Sequence, residues 1–157
     1  MTQGISHLGA TVTISEVGPR DGLQSIRQVM PTAAKNAWIR KQFEAGTPEI
    51  EVGSFVPARL LPQMADTAEV VAHAVALKGL VVAALVPNLH GLRLAVDSGV
   101  HKVSIPLSMS ESHSLRNVRK SHAEMLEEIR RCVEFLATVP PMKRPIFPLT
   151  RWRFIQS

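Results

Sequence analysis

Cysteine is nearly missing from this chain. Cys132 is the single copy among 157 residues, which excludes an internal disulfide and suits a reducing cytosol. Long apolar runs are missing too. The longest, Leu80–Pro87, falls far short of the roughly 20 residues that a membrane-spanning helix needs. Residues 1–10 (MTQGISHLGA) lack the basic start and apolar core of a secretory signal. No G-x-G-x-x-G or G-x-x-x-x-G-K segment occurs, which argues against a nucleotide-binding sheet. Acid is missing from one end: residues 139–157 hold Lys143, Arg144, Arg151 and Arg153 and no carboxylate. Four of the five positive charges in the net +5 therefore sit in that tail. The basic balance belongs to the tail and not to a nucleic-acid-binding face. The expectation is a soluble cytoplasmic chain with neither a membrane nor a nucleic-acid partner.

What is present is one domain's worth of alternating pattern. Residues 11–17 (TVTISEV) alternate and are β-branched, so they predict a strand. Gly18, Pro19 and Gly22 then force a loop. Pro31 and Thr32 open a helix that runs to about Ala45. Ile50–Val52 with Phe55 is a second strand. Asp66 and Glu69 have capping-box spacing at the start of a second helix that ends at Gly79. LVVAALV (80–86) is continuously apolar, as in a strand buried on both faces. A short helix follows to Gly99, and HKVSIPL (101–107) is a fourth strand. Residues 108–120 read as a polar loop. Ser121 and Glu124 form a second capping box before a helix with Met125, Ile129, Cys132, Val133 and Leu136 on one face.

Strict β-α alternation predicts an α/β fold with a parallel sheet and right-handed crossovers. Polar residues cluster after all four strands: Arg20–Asp21, Glu51–Ser54, Asn88 and Ser108–Asn117. In a (β/α)8 barrel such ends meet at one rim, where active sites lie. Four βα units make half of a barrel that needs about 250 residues. From Pro140 onward, four prolines and the TRWRF segment do not read as a fifth strand leading to a helix. A doubly wound sheet is the competing architecture.

The residues after the first two strands suggest chemistry. Asp21 can offer a carboxylate oxygen to a hard divalent cation. Arg20 can hold an oxygen where negative charge develops. Glu51 can serve acid–base work or orient Arg20, and Gln24 can donate to a substrate oxygen. A plainer reading of each is also open, since Asp-Gly is a common turn and Glu51 can be simply paired.

Four segments carry a resemblance. EVGPRDGLQ (16–24), EIEVGSFVPARLLPQMAD (49–66), VPNLHGLRLAVDSGV (86–100) and SMSESHSLRNVRKS (108–121) resemble the hydroxymethylglutaryl-CoA lyases. The resemblance spans about residues 12–138 and implies the N-terminal half of a (β/α)8 TIM barrel, with a partial TIM-barrel domain over 1–138 and an irregular, frame-altered or truncated tail over 139–157. It implies an acyl-CoA substrate, 3-hydroxy-3-methylglutaryl-CoA, cleaved to acetyl-CoA and acetoacetate with Mg2+ or Mn2+. By the same resemblance Asp21 is the metal ligand, Arg20 is the catalytic residue that stabilises the enolate, and Glu51 is the strand-two glutamate. Isopropylmalate, homocitrate and citramalate synthases share the Arg-Asp-Gly element and are the alternative, but GPRDGLQ and SFVPARLLPQMAD look like the lyase branch.

The departures set further expectations. The family's His-x-His ligand pair has no counterpart, because His7, His73, His90, His101, His113 and His122 are all spaced otherwise. Cys132 lies on an apolar helix face and reads as core packing, not as the family's glycine-flanked catalytic cysteine. His73 and His122 read as solvated, and His113 as the one histidine at the rim. A metal site with one protein ligand is incomplete, so the chain alone is expected to be inactive. A half-barrel is expected to expose unpaired sheet edges and an apolar inner face. That invites aggregation, self-association or pairing with a separate C-terminal half.

Overall fold

LVVAALV does become a strand in the middle of a sheet. The computed structural model describes residues 12–147. Its strands are β1 (Ser15–Glu16), β2 (Glu49–Ser54), β3 (Val81–Leu85) and β4 (Lys102–Ser104), all parallel and in spatial order β1-β2-β3-β4. Helices fill the connections: α1 (Thr32–Glu44), α2 (Thr67–Val75), α3 (Leu89–Ser98), then α4 (Glu111–Asn117) and α5 (His122–Thr138). Sequential parallel strands with a helix between each pair are the unit from which α/β barrels are built. No helix among the described residues is long and apolar enough to cross a membrane.

Alternation along the strands sorts the side chains. Ile50 and Val52 of β2, Val82 and Ala84 of β3 and Val103 of β4 face the helices and are buried at 0–1% exposure. They pack with Ile39 from α1, Val70, Val71 and Ala74 from α2, Leu92 and Ala95 from α3, and Cys132 and Leu136 from α5. Burying each such Ile or Val contributes roughly 1.5–3 kcal/mol. Cys132 belongs to this core. Burial, helped by the charge of Glu128, pushes its thiol up to about 11. We expect the native chain to leave a thiol-reactive disulfide reagent unconsumed at pH 8 and to consume one equivalent once unfolded in denaturant. Rapid labelling of the folded chain would place the sulfur at the surface.

Several elements differ from the sequence reading. The first strand pairs over Ser15–Glu16 only, and Thr11 lies outside the described residues. The Asp66–Glu69 box does not form. The Asp66 carboxylate instead accepts from Thr32 Oγ1 at 2.7 Å and from Lys35 Nζ at 2.5 Å, tying α1 to α2. Lys35 is only 2% exposed, so this pair supplies the partner that a buried ammonium requires. The expected loop at 108–120 contains α4, whose N-cap is Ser110. The Ser121–Glu124 capping box is present. His73 and His122 are half-buried, not solvated, and the Nε2 atom of each is covered and unpartnered among the described residues.

The chain after α5 also holds a surprise. Ile146 forms a parallel bridge to Lys102 on the outer edge of β4. Ile146 N–H donates to His101 C=O at 2.8 Å, and Val103 N–H donates to Ile146 C=O at 3.0 Å. Phe147 packs on the core. Residues 145–147 thus sit where a fifth strand would lie, although the prolines around them hid it. Residues 148–157, with the TRWRF segment, lie outside the described residues.

Candidate functional site

The turn that follows β1 is built to aim Arg20. Gly18–Gly22 form a single π-helical turn, in which Arg20 and Asp21 N–H both donate to Val17 C=O, at 3.1 and 2.7 Å. Pro19 stiffens it and is buried. Gly18 is required by space: a Cβ there would lie 2.7 Å from Glu16 Oε1 and 3.1 Å from the Trp38 ring. With no side chain in the way, Gly18 N–H donates to Glu16 Oε1 at 2.6 Å.

Arg20 then reaches across to β2. Its Nε and Nη2 both approach Glu51 Oε2 at 2.6 Å, and its Nη1 approaches Asp21 Oδ1 at 2.8 Å. Charge-assisted contacts of this length are strong when desolvated, and here the Arg20 and Glu51 side chains are 15% and 7% exposed. Three of the five guanidinium N–H groups are used, which leaves two without a partner among the described residues. Glu51 is held from both ends, because its Oε1 accepts from Ser104 Oγ on β4. The Glu51 carboxylate thus contacts Arg20 through one oxygen and Ser104 through the other.

One strand, β3, lies between Glu51 and Ser104, and a small residue explains the reach. Glu51 is in register with Ala83, and Ala83 with Lys102. Ala83 puts only a methyl group on the inner face, so a carboxylate from β2 passes over β3 to β4. One layer away Glu49, in register with Val81, also reaches across β3, and its Oε1 accepts from Lys102 Nζ at 2.8 Å. The inner face is therefore polar and cross-linked by charge, not apolar as expected. The sequence reading missed Ser104 and the Glu49–Lys102 pair. The signal was there: HKVS places Lys102 and Ser104 two apart, on one strand face, as EIE places Glu49 and Glu51.

The other expected site residues are dispersed. Gln24 is half-buried just beyond the turn and takes no part in the Arg20 hydrogen bonds. His113 is exposed on α4, with Nδ1 2.8 Å from Ser108 Oγ. The divalent ion implied by the lyase resemblance finds no complete site among the described residues. Asp21 is 58% exposed, and one of its oxygens is engaged by Arg20. Both Glu51 oxygens are engaged as well. Among the described residues no group of three or more His, Cys, Asp or Glu is placed to hold a metal. One free carboxylate oxygen does not meet the six-fold oxygen demand of Mg2+.

Comparison with known proteins adds an independent line. A family model described as HMGL-like matches residues 11–141. The hydroxymethylglutaryl-CoA lyase YngG of Bacillus subtilis is 39% identical over 119 residues, which are 76% of this chain and 40% of that protein. A 3-hydroxy-3-isohexenylglutaryl-CoA/hydroxy-methylglutaryl-CoA lyase of Pseudomonas aeruginosa is 43% identical over 121 residues, 77% of this chain and 40% of its own length. The crystal structure of the Bacillus subtilis HMG-CoA lyase superposes with a TM-score of 0.76 at 36% identity, covering 80% of this chain and 42% of that one. An HMG-CoA lyase from Acinetobacter baumannii, in complex with coenzyme A and 3-methylmalate, gives 0.76 at 32% identity over 86% of this chain and 43% of its own. The chain spans about 40% of the length of these curated relatives.

Proposed function

This chain belongs to the HMGL-like family, and we propose from that premise that its half-barrel carries one side of a carbon–carbon lyase centre. The substrate class is an acyl-CoA, with 3-hydroxy-3-methylglutaryl-CoA the proposed member. When the tertiary hydroxyl gives its proton to a base, the oxygen becomes the ketone of acetoacetate, and a proton delivered to the enolate carbon completes acetyl-CoA. The bond to the neighbouring carbon breaks, and its electron pair moves toward the thioester carbonyl. The oxygen of the departing acetyl-CoA enolate then carries the developing charge. The two unpartnered N–H groups of Arg20 are the donors proposed to meet it. That spare capacity on a desolvated, doubly held guanidinium is the observation that carries the proposal. Asp21 is proposed as one metal ligand only, in a site completed by groups that the described residues do not supply. A cytoplasmic location, consistent with the lone buried Cys132, is part of the same proposal.

The purified chain, supplied with 3-hydroxy-3-methylglutaryl-CoA and Mg2+ or Mn2+, is expected to release no acetoacetate above the blank. Mixing it with a fragment carrying the remaining strands of the Bacillus subtilis relative is expected to restore metal-dependent release. Two outcomes would sink the reading. One is turnover by the 157-residue chain alone. The other is a mixture that assembles but condenses acetyl-CoA with a 2-oxo acid, which would move the chain to the synthase branch.

A further inference from the structure

We propose that Ser104 is a positioning residue for Arg20, acting through Glu51; its catalytic meaning rests on the lyase reading above. Arg20 presses two donors onto one oxygen of Glu51, Oε2. A forked contact of that kind does not by itself fix the plane of the carboxylate, which can still turn about its terminal bond. The second oxygen decides the matter. Ser104 Oγ donates to Glu51 Oε1, so the carboxylate is gripped at both ends and its plane is set. Arg20 inherits that orientation, and its two spare N–H groups face a defined direction.

The environment makes this contact consequential. Glu51 is 5% exposed overall, so water does not readily replace the serine hydroxyl. Without it, Oε1 is a buried acceptor with no partner, and the carboxylate rotates to share the Arg20 donors between its two oxygens. Arg20 then loses the geometry that leaves two N–H groups free. The route depends on Ala83, whose methyl group lets the β2 carboxylate reach β4. The neighbouring Glu49–Lys102 pair also spans β3 but hydrogen-bonds to neither Arg20 nor Glu51, which makes it a built-in control.

The test reads Arg20 directly, on the isolated chain and without substrate. In 15N-labelled protein the Arg20 Nε–H signal reports exchange with water. Ser104→Ala is expected to speed that exchange about tenfold, the effect of one charge-assisted hydrogen bond. Ser104→Thr, which keeps the hydroxyl, is expected to restore the slow rate. Lys102→Met is expected to leave the signal as it was. Ala83→Leu, which blocks the crossing, is expected to reproduce the Ser104→Ala result. An unchanged Nε–H rate in Ser104→Ala, with a native amide spectrum, would overturn the proposal. If that variant does not fold, Ser104→Thr against Ser104→Cys decides: equal rates overturn the proposal, and a faster rate in the Cys variant supports it. In the complemented barrel Ser104→Ala is expected to lower kcat and leave KM unchanged. A complemented barrel with no turnover would remove the lyase reading and leave the exchange result standing.

Discussion

Arg20→Gln is expected to cut kcat of the complemented barrel about a hundred- to thousandfold, the usual cost of removing a donor from a developing oxyanion. The loss is expected to fall on kcat, with KM little changed, because the donors are matched to the enolate and not to the ground-state carbonyl. Glutamine keeps a polar head but has no fork and no charge. It can satisfy Glu51 or the substrate, not both. Arg20→Lys is expected to be nearly as damaging. Arg20 contacts Glu51 through Nε and Nη2 and Asp21 through Nη1, and one ammonium cannot reproduce three separated donors. Both variants also leave Glu51 buried with less compensation, so thermal unfolding is to be recorded beside the acetoacetate assay. A complemented Arg20→Gln barrel with unchanged kcat would remove Arg20 from the chemistry altogether.

The second large effect is on stability. Glu128→Ala is expected to destabilise the chain by about 3 kcal/mol, seen as a lower urea midpoint, the low end of what removing one partner from a buried ion pair costs. Glu128 lies on α5 with a side chain 5% exposed. Its Oε1 accepts from Leu89 N–H at 2.9 Å, at the first turn of α3. Its Oε2 accepts from Lys120 Nζ and, at 2.6 Å, from Arg131 Nη2. One carboxylate thus joins α3 to α5 and pins the approach from α4. Its cations are 31% and 49% exposed, and that exposure is why the low end applies.

The pH dependence has a definite sign. Burial pushes the Glu128 carboxyl up, but the Leu89 N–H, Lys120 and Arg131 outweigh it and hold the group below the ordinary value. A carboxyl depressed by folding contributes its stability above its unfolded value, near about 4.3, and loses it as pH falls through the folded value. The stability gap between the wild type and Glu128→Gln is therefore expected to be full at pH 7 and to close on acidification below about pH 4. A gap of the same size at pH 3 would show that the charge of Glu128 is not what joins the helices.

The parts of the fold that could be read from sequence were those written in local pattern. LVVAALV is continuously apolar because β3 is covered on one face by helices and on the other by crossing side chains. The Ser121–Glu124 box was legible because both of its hydrogen bonds are local. Asp66–Glu69 has similar spacing but failed, because Lys35 and Thr32, more than 30 residues away, take the Asp66 carboxylate. The helix α4 was hidden because it is seven residues long and carries no apolar stripe. It is held by the Ser110 cap and by Ser114 Oγ, which donates to Lys120 C=O at 2.7 Å. In the site, Arg20, Asp21 and Glu51 stood out from motif and strand ends. Ser104 did not, because its meaning depends on a neighbour two strands away and on the small size of Ala83 between them.

Ile146 has a consequence for how copies of this chain meet. Sheets that join flank to flank into filaments need a bare row of amides and carbonyls on each side. On the β4 side, the His101 carbonyl and the Val103 amide already bond to Ile146 of the same chain. An incoming strand must first evict that residue, with Phe147 anchored in the core behind it. Runaway stacking through this flank is thereby expected to be hindered from within the molecule, with the Ile146 side chain left facing solvent.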